Sequence, residues 1–259
     1  KPLYRIDADP RADGKAYPVD LFVAGDAAFA LEGLADRLAG KLQVESAFRT
    51  DVKAARARCE ADVRKGLGPY EKLLDALART PDYTWVRDIT LSNSIWGNRM
   101  MTILDPRYAV HATGGGIGQG IQQALGAALA APSRKTLCIT GDGGLQVNLG
   151  ELATLVQERA NVVVIVMNEG GYGVIRNIQD AIYGSRRVYT ELHNPDFELF
   201  ARSLKLSYKK VSKTADMAAT LKAAVAEKGP VLVEVDMKSI GNFATAFAGP
   251  PVRKEAPKA

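Results

Sequence analysis

The chain has 259 residues, 47% hydrophobic and 24% charged, with 34 Lys and Arg against 29 Asp and Glu for a net charge of +5. This is the balance of a soluble globular chain that can bury a sizeable core, and it excludes overall disorder. The basic excess is small and interleaved with acids, so nucleic acid is not an expected partner. The apolar run Val162 to Met167 is far short of the ~20 residues that cross a bilayer, so no membrane span is expected either.

Cys59 and Cys138 stand far apart with no His at ligand spacing, which reads as neither a disulfide framework nor a zinc site and suits a reducing, cytoplasmic setting. No charged-then-apolar leader opens the sequence. Its start at Lys1, running directly into a strand-like segment, reads as part of a longer polypeptide.

In chain order, residues 1–45 read as the end of an α/β domain. Strands are expected at Leu3 to Asp7 and Val19 to Val23, followed by a helix capped by Asp26 with Phe29, Leu31, Leu34, Ala35 and Leu38 on its apolar face. Residues 46–68, rich in Arg, Lys and Ala, read as a solvated connecting helix. Over 69–245 helices are expected at 69–79, at Ile121 to Ala130 after a glycine-rich turn that begins at Gly114, at 146–158, after Gly173, at 196–204 and at 214–227. Strands are expected at 84–89, 136–140, 161–167, 207–211 and 231–236. The strand Val162-Val163-Val164-Ile165-Val166 is continuously apolar rather than alternating, which implies cover on both faces: an α/β fold, a parallel sheet with helices on both sides, attached to a fragment of a second α/β domain. The tail 246–259, with Pro250, Pro251 and Pro257 among charges, reads as mobile or as a lid.

Ligands of such sheets bind at the carboxyl ends of strands, which singles out four loops. Thr90-Leu91-Ser92-Asn93-Ser94 offers small hydroxyl and amide donors, or a plain polar turn. In Thr113-Gly114-Gly115-Gly116-Ile117-Gly118-Gln119-Gly120, five glycines let a ligand approach the backbone before a helix. From neither Gly114 nor Gly116 do glycines fall at i, i+2 and i+5, and no phosphate-binding loop of the G-x-x-x-x-G-K-[ST] type occurs, which argues against a nucleotide-binding α/β domain. Thr140-Gly141-Asp142-Gly143-Gly144 places an acid between glycines at a strand end, chemistry that suits Mg2+ gripping a diphosphate. Asn168-Glu169-Gly170-Gly171-Tyr172-Gly173 reads either as an Asn/Gly turn or as the opposite wall of that metal site.

Gly141-Asp142-Gly143 followed by Asn168-Glu169, with residue 169 lying 27 positions after Asp142, resembles the thiamin-diphosphate motif of the enzyme family containing acetolactate synthase, pyruvate oxidase and benzoylformate decarboxylase. The segments Gly115-Gly116-Ile117-Gly118, Gln146 to Ala153 and Tyr172-Gly173-Val174-Ile175 add to the likeness. So do Ile6-Asp7-Ala8-Asp9-Pro10 and Val23-Ala24-Gly25-Asp26, which resemble the close of the family's central domain. The resemblance implies a Mg2+ held by the Asp142 and Glu169 side chains and the Gly171 carbonyl. It implies a diphosphate met by Ser92, Asn93, Gly143, Gly144, Tyr172 and Gly173, with Gly115 offering its carbonyl to the aminopyrimidine and Ile117 bending the cofactor from beneath the thiazolium. The implied activity is decarboxylation or carboligation of a 2-oxo acid; the alternative is a non-catalytic binding module.

Two departures stand out. Glu169 replaces a usual Asn; direct ligation by its carboxylate is expected, since Mg2+ favours carboxylate oxygens. The family's catalytic Glu belongs to an N-terminal pyrimidine-binding domain that these residues do not contain, so the implied partner is that domain, in the same or another chain of a homodimer or homotetramer. His111 and His193 read as structural.

Overall fold

The computed structural model describes residues 2–15, 17–80 and 82–247. The tail read as mobile or a lid lies almost wholly outside them. The chain divides into two compact units, one up to Arg56 and one from Ala57 onward.

The first unit contains β1 (Tyr4–Asp7) and β2 (Leu21–Ala24), paired in parallel, then α1 (Ala27–Leu38). Asp26 caps α1 as its sequence position suggests, accepting the Phe29 N–H at 2.8 Å. The expected apolar face exists but is not buried: α1 has no buried residue and Phe29 is 80% exposed. The helix α2 (Phe48–Leu67) continues into the second unit, solvated along most of its length and burying only Gly66 and Leu67.

The second unit holds α3 (Glu71–Ala78), β3 (Tyr83–Arg87), β4 (Ala109–His111), α4 (Gly120–Ala130), β5 (Lys135–Gly141), α5 (Asp142–Val147), α6 (Glu151–Gln157), β6 (Val162–Asn168), α7 (Gly173–Ile182), α8 (Phe197–Ser203), β7 (Ser207–Val211), α9 (Met217–Ala226), β8 (Val231–Asp236) and α10 (Met237–Ile240). Six strands form one parallel sheet in the order β4-β3-β5-β6-β8-β7. The continuous apolar run in β6 is explained by its two faces. Val163, Ile165 and Met167 join a core with Leu73, Leu77 and Leu221, while Val162, Val164 and Val166 join a second core with Ile121, Leu152 and Phe197. Among the described residues no helix is long and apolar enough to cross a membrane.

One expected element changes. The helix expected at 146–158 begins instead at Asp142 and is broken between Val147 and Glu151, where the Asn148 side chain donates to the Gly118 carbonyl at 2.7 Å. Gly143 and Gly144 are helical in spite of glycine's poor propensity because tertiary contacts need the missing Cβ. A Cβ on Gly143 would lie 2.5 Å from the Tyr172 ring, and one on Gly144 would lie 2.8 Å from the Asp88 carboxylate. The glycine-rich turn and the helix that follows it occur as expected: Thr113–Gly115 forms a single 3-10 turn and the α-helix runs Gly120–Ala130. The edge strand β4 and the π-helical turn Asn93–Gly97, which buries Trp96 completely, have no counterpart in the periodicity of the sequence.

Candidate functional site

The strand order changes direction between β3 and β5, since β4 lies on one side of β3 and β5 on the other. The loops leaving the carboxyl ends of β3 and β5 therefore diverge at a topological switch point, the place where sheets of this kind form their ligand crevice. Its floor is Asp88, a carboxylate 1% exposed immediately after β3. Asp88 accepts the Ile89 N–H at 2.7 Å, the Gly118 N–H at 3.0 and 3.1 Å on its two oxygens, and the Thr140 hydroxyl at 3.2 Å. One side chain thus ties together the ends of β3 and β5 and the glycine-rich loop.

That loop is stapled a second time by Gln119. Its Oε1 accepts the Thr113 N–H at 3.0 Å while its Nε2 donates to the carbonyls of Thr113 at 3.0 Å and Gly116 at 3.1 Å. Gly114 and Gly115 have φ of +66° and +74°, and a Cβ on either would meet nothing within 4 Å. Here glycine serves a left-handed backbone beside open space. Ile117, 40% exposed, presents its apolar side chain from the same loop.

Asp142, also 1% exposed, opens α5. Its Oδ2 accepts the Gly171 N–H and the Asn194 amide, each at 2.8 Å, whereas Oδ1 has only a long 3.4 Å contact from the Glu169 N–H. The expected pairing of the loops after β5 and β6 is thereby realised in space, and one oxygen of the carboxylate is left largely free. Burial raises the Asp142 pKa, and its hydrogen bonds from Asn194 and from the Glu169 and Gly171 backbone oppose that rise.

Glu169 folds back over the start of α7. Its carboxylate meets Arg176 at 3.0 Å, accepts from the Gly173 N–H and occupies the space a Gly173 Cβ would take, 2.0 Å away. Arg176 in turn pairs with Glu191 at 3.1 Å. Burial pushes the Glu169 pKa up to about 7 and the negative Asp142 adds to this, with Arg176 pulling the other way. The Tyr172 N–H donates to the Thr190 carbonyl at 2.8 Å. The N–H groups of Tyr172 and Gly173, which the family resemblance assigns to a diphosphate, therefore serve protein acceptors in this arrangement.

Ser92 and Asn93 are 0% and 3% exposed. The Asn93 amide donates to the Asp88 carbonyl, and Ser92 Oγ and Asn93 Oδ1 are buried with no hydrogen-bond partner. His111 is exposed at the end of β4. His193 lines a polar cavity of about 450 Å³ beside the site, together with Asn168, Asn194, Tyr208, Lys210 and Glu234. A second cavity of about 370 Å³, bordered by Tyr83, Trp85, Met101, Tyr108 and Arg134, lies toward the amino ends of β3 and β5, away from these loops.

Asp88, Gln119, Asn194 and Arg176 escaped the sequence reading. Asp88 carried the same signal as Asp142, an acid at the end of an apolar strand, but without flanking glycines. Asn194 carried no local signal, because only the fold brings it to Asp142 from 52 positions away.

The donor set fits a magnesium diphosphate better than a metal caged by protein alone. Among the described residues no three His, Cys, Asp or Glu side chains cluster as a metal site. Mg2+ usually takes one or two carboxylates and fills its octahedron with water and phosphate oxygens, which the free Oδ1 of Asp142 and the neighbouring Glu169 can accommodate. The unpartnered Ser92 hydroxyl and the open space above Gly114 and Gly115 are further features that a bound cofactor would use.

Residues 91–235, more than half of the chain, match the profile of the family described as thiamine pyrophosphate enzyme, C-terminal TPP binding domain. The chain is 31% identical over 242 residues to the probable 2-ketoarginine decarboxylase of Pseudomonas aeruginosa, an alignment covering 90% of this chain and 42% of that protein. It is 30% identical over 210 residues to the acetolactate synthase large subunit of Haemophilus influenzae, covering 78% and 37%. With the mitochondrial acetolactate synthase catalytic subunit of Saccharomyces cerevisiae it shares 32% identity over 146 residues, covering 56% and 21%. It thus spans about two fifths of the length of the first two of these relatives. With the parallel sheet, the glycine-rich loop and the buried Asp142 at the crevice, this match places the chain in the thiamine pyrophosphate enzyme family, as its C-terminal TPP-binding domain.

Proposed function

We propose that the chain is the thiamin-diphosphate- and Mg2+-binding half of an enzyme that decarboxylates or carboligates 2-oxo acids. The observation that carries this is Asp142: two N–H donors hold Oδ2 at 2.8 Å and leave Oδ1 with only the long 3.4 Å contact from the Glu169 N–H, an oxygen that a cation could take. When bound, thiamin diphosphate supplies the nucleophilic carbon and the electron sink for decarboxylation. The protein's part is to bind and orient it. Asp142 would ligate Mg2+ through Oδ1, with Gly171 giving a carbonyl and Glu169 a carboxylate after leaving Arg176. Gly143, Gly144, Tyr172, Gly173, Ser92 and Asn93 would surround the diphosphate, Gly115 would accept from the aminopyrimidine, and Ile117 would support the ring system and help exclude water beneath it.

Residues 1–45 are read as the close of a central domain and 46–68 as its connection. The 242-residue alignment to the decarboxylase, reaching well beyond the 91–235 of the family profile, supports that reading. The N-terminal pyrimidine-binding domain, and with it the family's catalytic Glu, would come from elsewhere in the same or a partner chain of a cytoplasmic oligomer. These residues alone would hold half a site, which keeps a non-catalytic cofactor-binding module as the second reading.

Calorimetric titration with thiamin diphosphate, with and without Mg2+, tests the proposal. Binding that requires Mg2+ is expected; no binding in either condition, with the N-terminal domain also supplied, would sink it. Turnover of 2-oxo acids by the complete enzyme, set against binding without turnover, separates the two readings.

A further inference from the structure

Asp142 does not set its own orientation. Asn194 uses both amide hydrogens, donating to Asp142 Oδ2 and to Asn168 Oδ1 at 2.8 Å each, and its own oxygen accepts from Gln146. The Asn168 amide donates to Glu234 Oε1 at 2.8 Å, and the Tyr208 hydroxyl donates to Glu234 Oε2. Glu234 lies near the carboxyl end of β8, lines the polar cavity with Tyr208 and Lys210, and is 5% exposed; Lys210 is the nearest cation, at 3.7 Å.

An Asn side chain can present either its oxygen or its NH2 group to a neighbour, and its surroundings decide which. Glu234, an acceptor only when ionised, draws the Asn168 NH2 toward itself, which turns Asn168 Oδ1 toward Asn194. That oxygen, with the Gln146 donor on the other side, keeps the Asn194 NH2 on Asp142. Were Asn168 reversed, its NH2 would face the NH2 of Asn194; were Asn194 reversed, its oxygen would face the Asp142 carboxylate.

We propose that Glu234 is a positioning residue that fixes the direction of the hydrogen-bond chain Glu234–Asn168–Asn194–Asp142, and so decides which oxygen of Asp142 is offered to the metal. This rests on the proposed Mg2+ role of Asp142. It makes a side chain at the end of β8, in none of the glycine-bearing loops, a determinant of metal affinity. Residues that hold a ligand in place commonly change metal affinity ~10–100-fold when removed.

The test is Mg2+ titration of thiamin diphosphate binding by calorimetry in the full-length polypeptide. Glu234→Leu should weaken Mg2+ affinity about 10-fold or more, with binding recovered at excess Mg2+. Glu234→Gln, which can still offer an oxygen to Asn168 and an NH2 to the Tyr208 oxygen, should restore most of it. Asn194→Ala should show a loss like that of Glu234→Leu, and the double variant should be no weaker than either single one, because both break the same chain. Losses that multiply in the double variant, or wild-type Mg2+ affinity in Glu234→Leu, overturn the proposal and leave the cofactor assignment standing. A wild-type protein that binds no thiamin diphosphate overturns both. If Glu234→Leu does not fold, Asn194→Asp decides: the same shape with acceptors only should lose about 10-fold or more in Mg2+ affinity, and unchanged affinity overturns the chain.

Discussion

The loops at the carboxyl ends of the strands form two pairs built in different ways. Those after β5 and β6 meet around a buried charge, with Asp142, Asn194 and Gly171 locked at 2.8 Å and Glu169 clasped by Arg176. Those after β3 and β4 are fastened from below by Asp88 and from within by Gln119, and leave Gly114, Gly115 and Ile117 facing outward. The first pair is organised to hold charge and the second to leave backbone and an apolar side chain accessible. In the proposed function the first pair would meet a diphosphate with its cation and the second a flat ring system.

The sharpest break is Asp142→Ala, which removes the buried carboxylate whose Oδ1 has only a long 3.4 Å contact at the first pair. Mg2+-dependent binding of thiamin diphosphate should be lost in calorimetry, and unchanged affinity would show the site to be misplaced. In the second pair, Asp88→Ala removes the acceptor of the buried Gly118 N–H and of the partly buried Ile89 N–H and cuts the tie to the Thr140 hydroxyl. A stability loss of at least about 2 kcal/mol is expected in denaturant unfolding, together with weaker cofactor binding.

Ser92→Ala separates a structural from a binding hydroxyl. Removing a buried, unpartnered Oγ should leave stability unchanged or raise it by up to about 1 kcal/mol, while cofactor affinity should fall if the hydroxyl meets the diphosphate. The last effect is one of pH and concerns Glu169 in the metal-free protein. Its pKa near 7 lies above the ordinary carboxylate value of 4.5, so the folded state binds the extra proton between those values. The thermal midpoint should therefore be highest below about pH 4.5 as far as this group is concerned and fall as pH rises toward 7, a slope that Glu169→Gln should flatten.

Much of this architecture was visible in residue patterns alone. The unbroken apolar strand at 162–167 called for cover on both faces, and the two cores supply it. The strands expected at 207–211 and 231–236 occur at those positions. The loops after β5 and β6 were paired correctly because glycines around an acid at a strand end are a local pattern. The break after Val147 was not visible, because it depends on an Asn148 bond to Gly118, 30 positions earlier. Phe29 and its neighbours form an amphipathic stripe, but periodicity says only that a face is apolar, and α1 leaves that face uncovered.

The sequence by itself determined the class of fold, the four strand-end loops and the acid at the centre of one of them, since each depends on neighbours within a few residues. Only the tertiary structure decided which atoms of those loops are committed to other protein groups. It assigned Asp142 Oδ2 to Asn194 and Gly171, Gly118 to Asp88 and Glu169 to Arg176. A buried polar group needs a partner, and in a parallel sheet that partner comes from a different strand or loop at a separation no local pattern records.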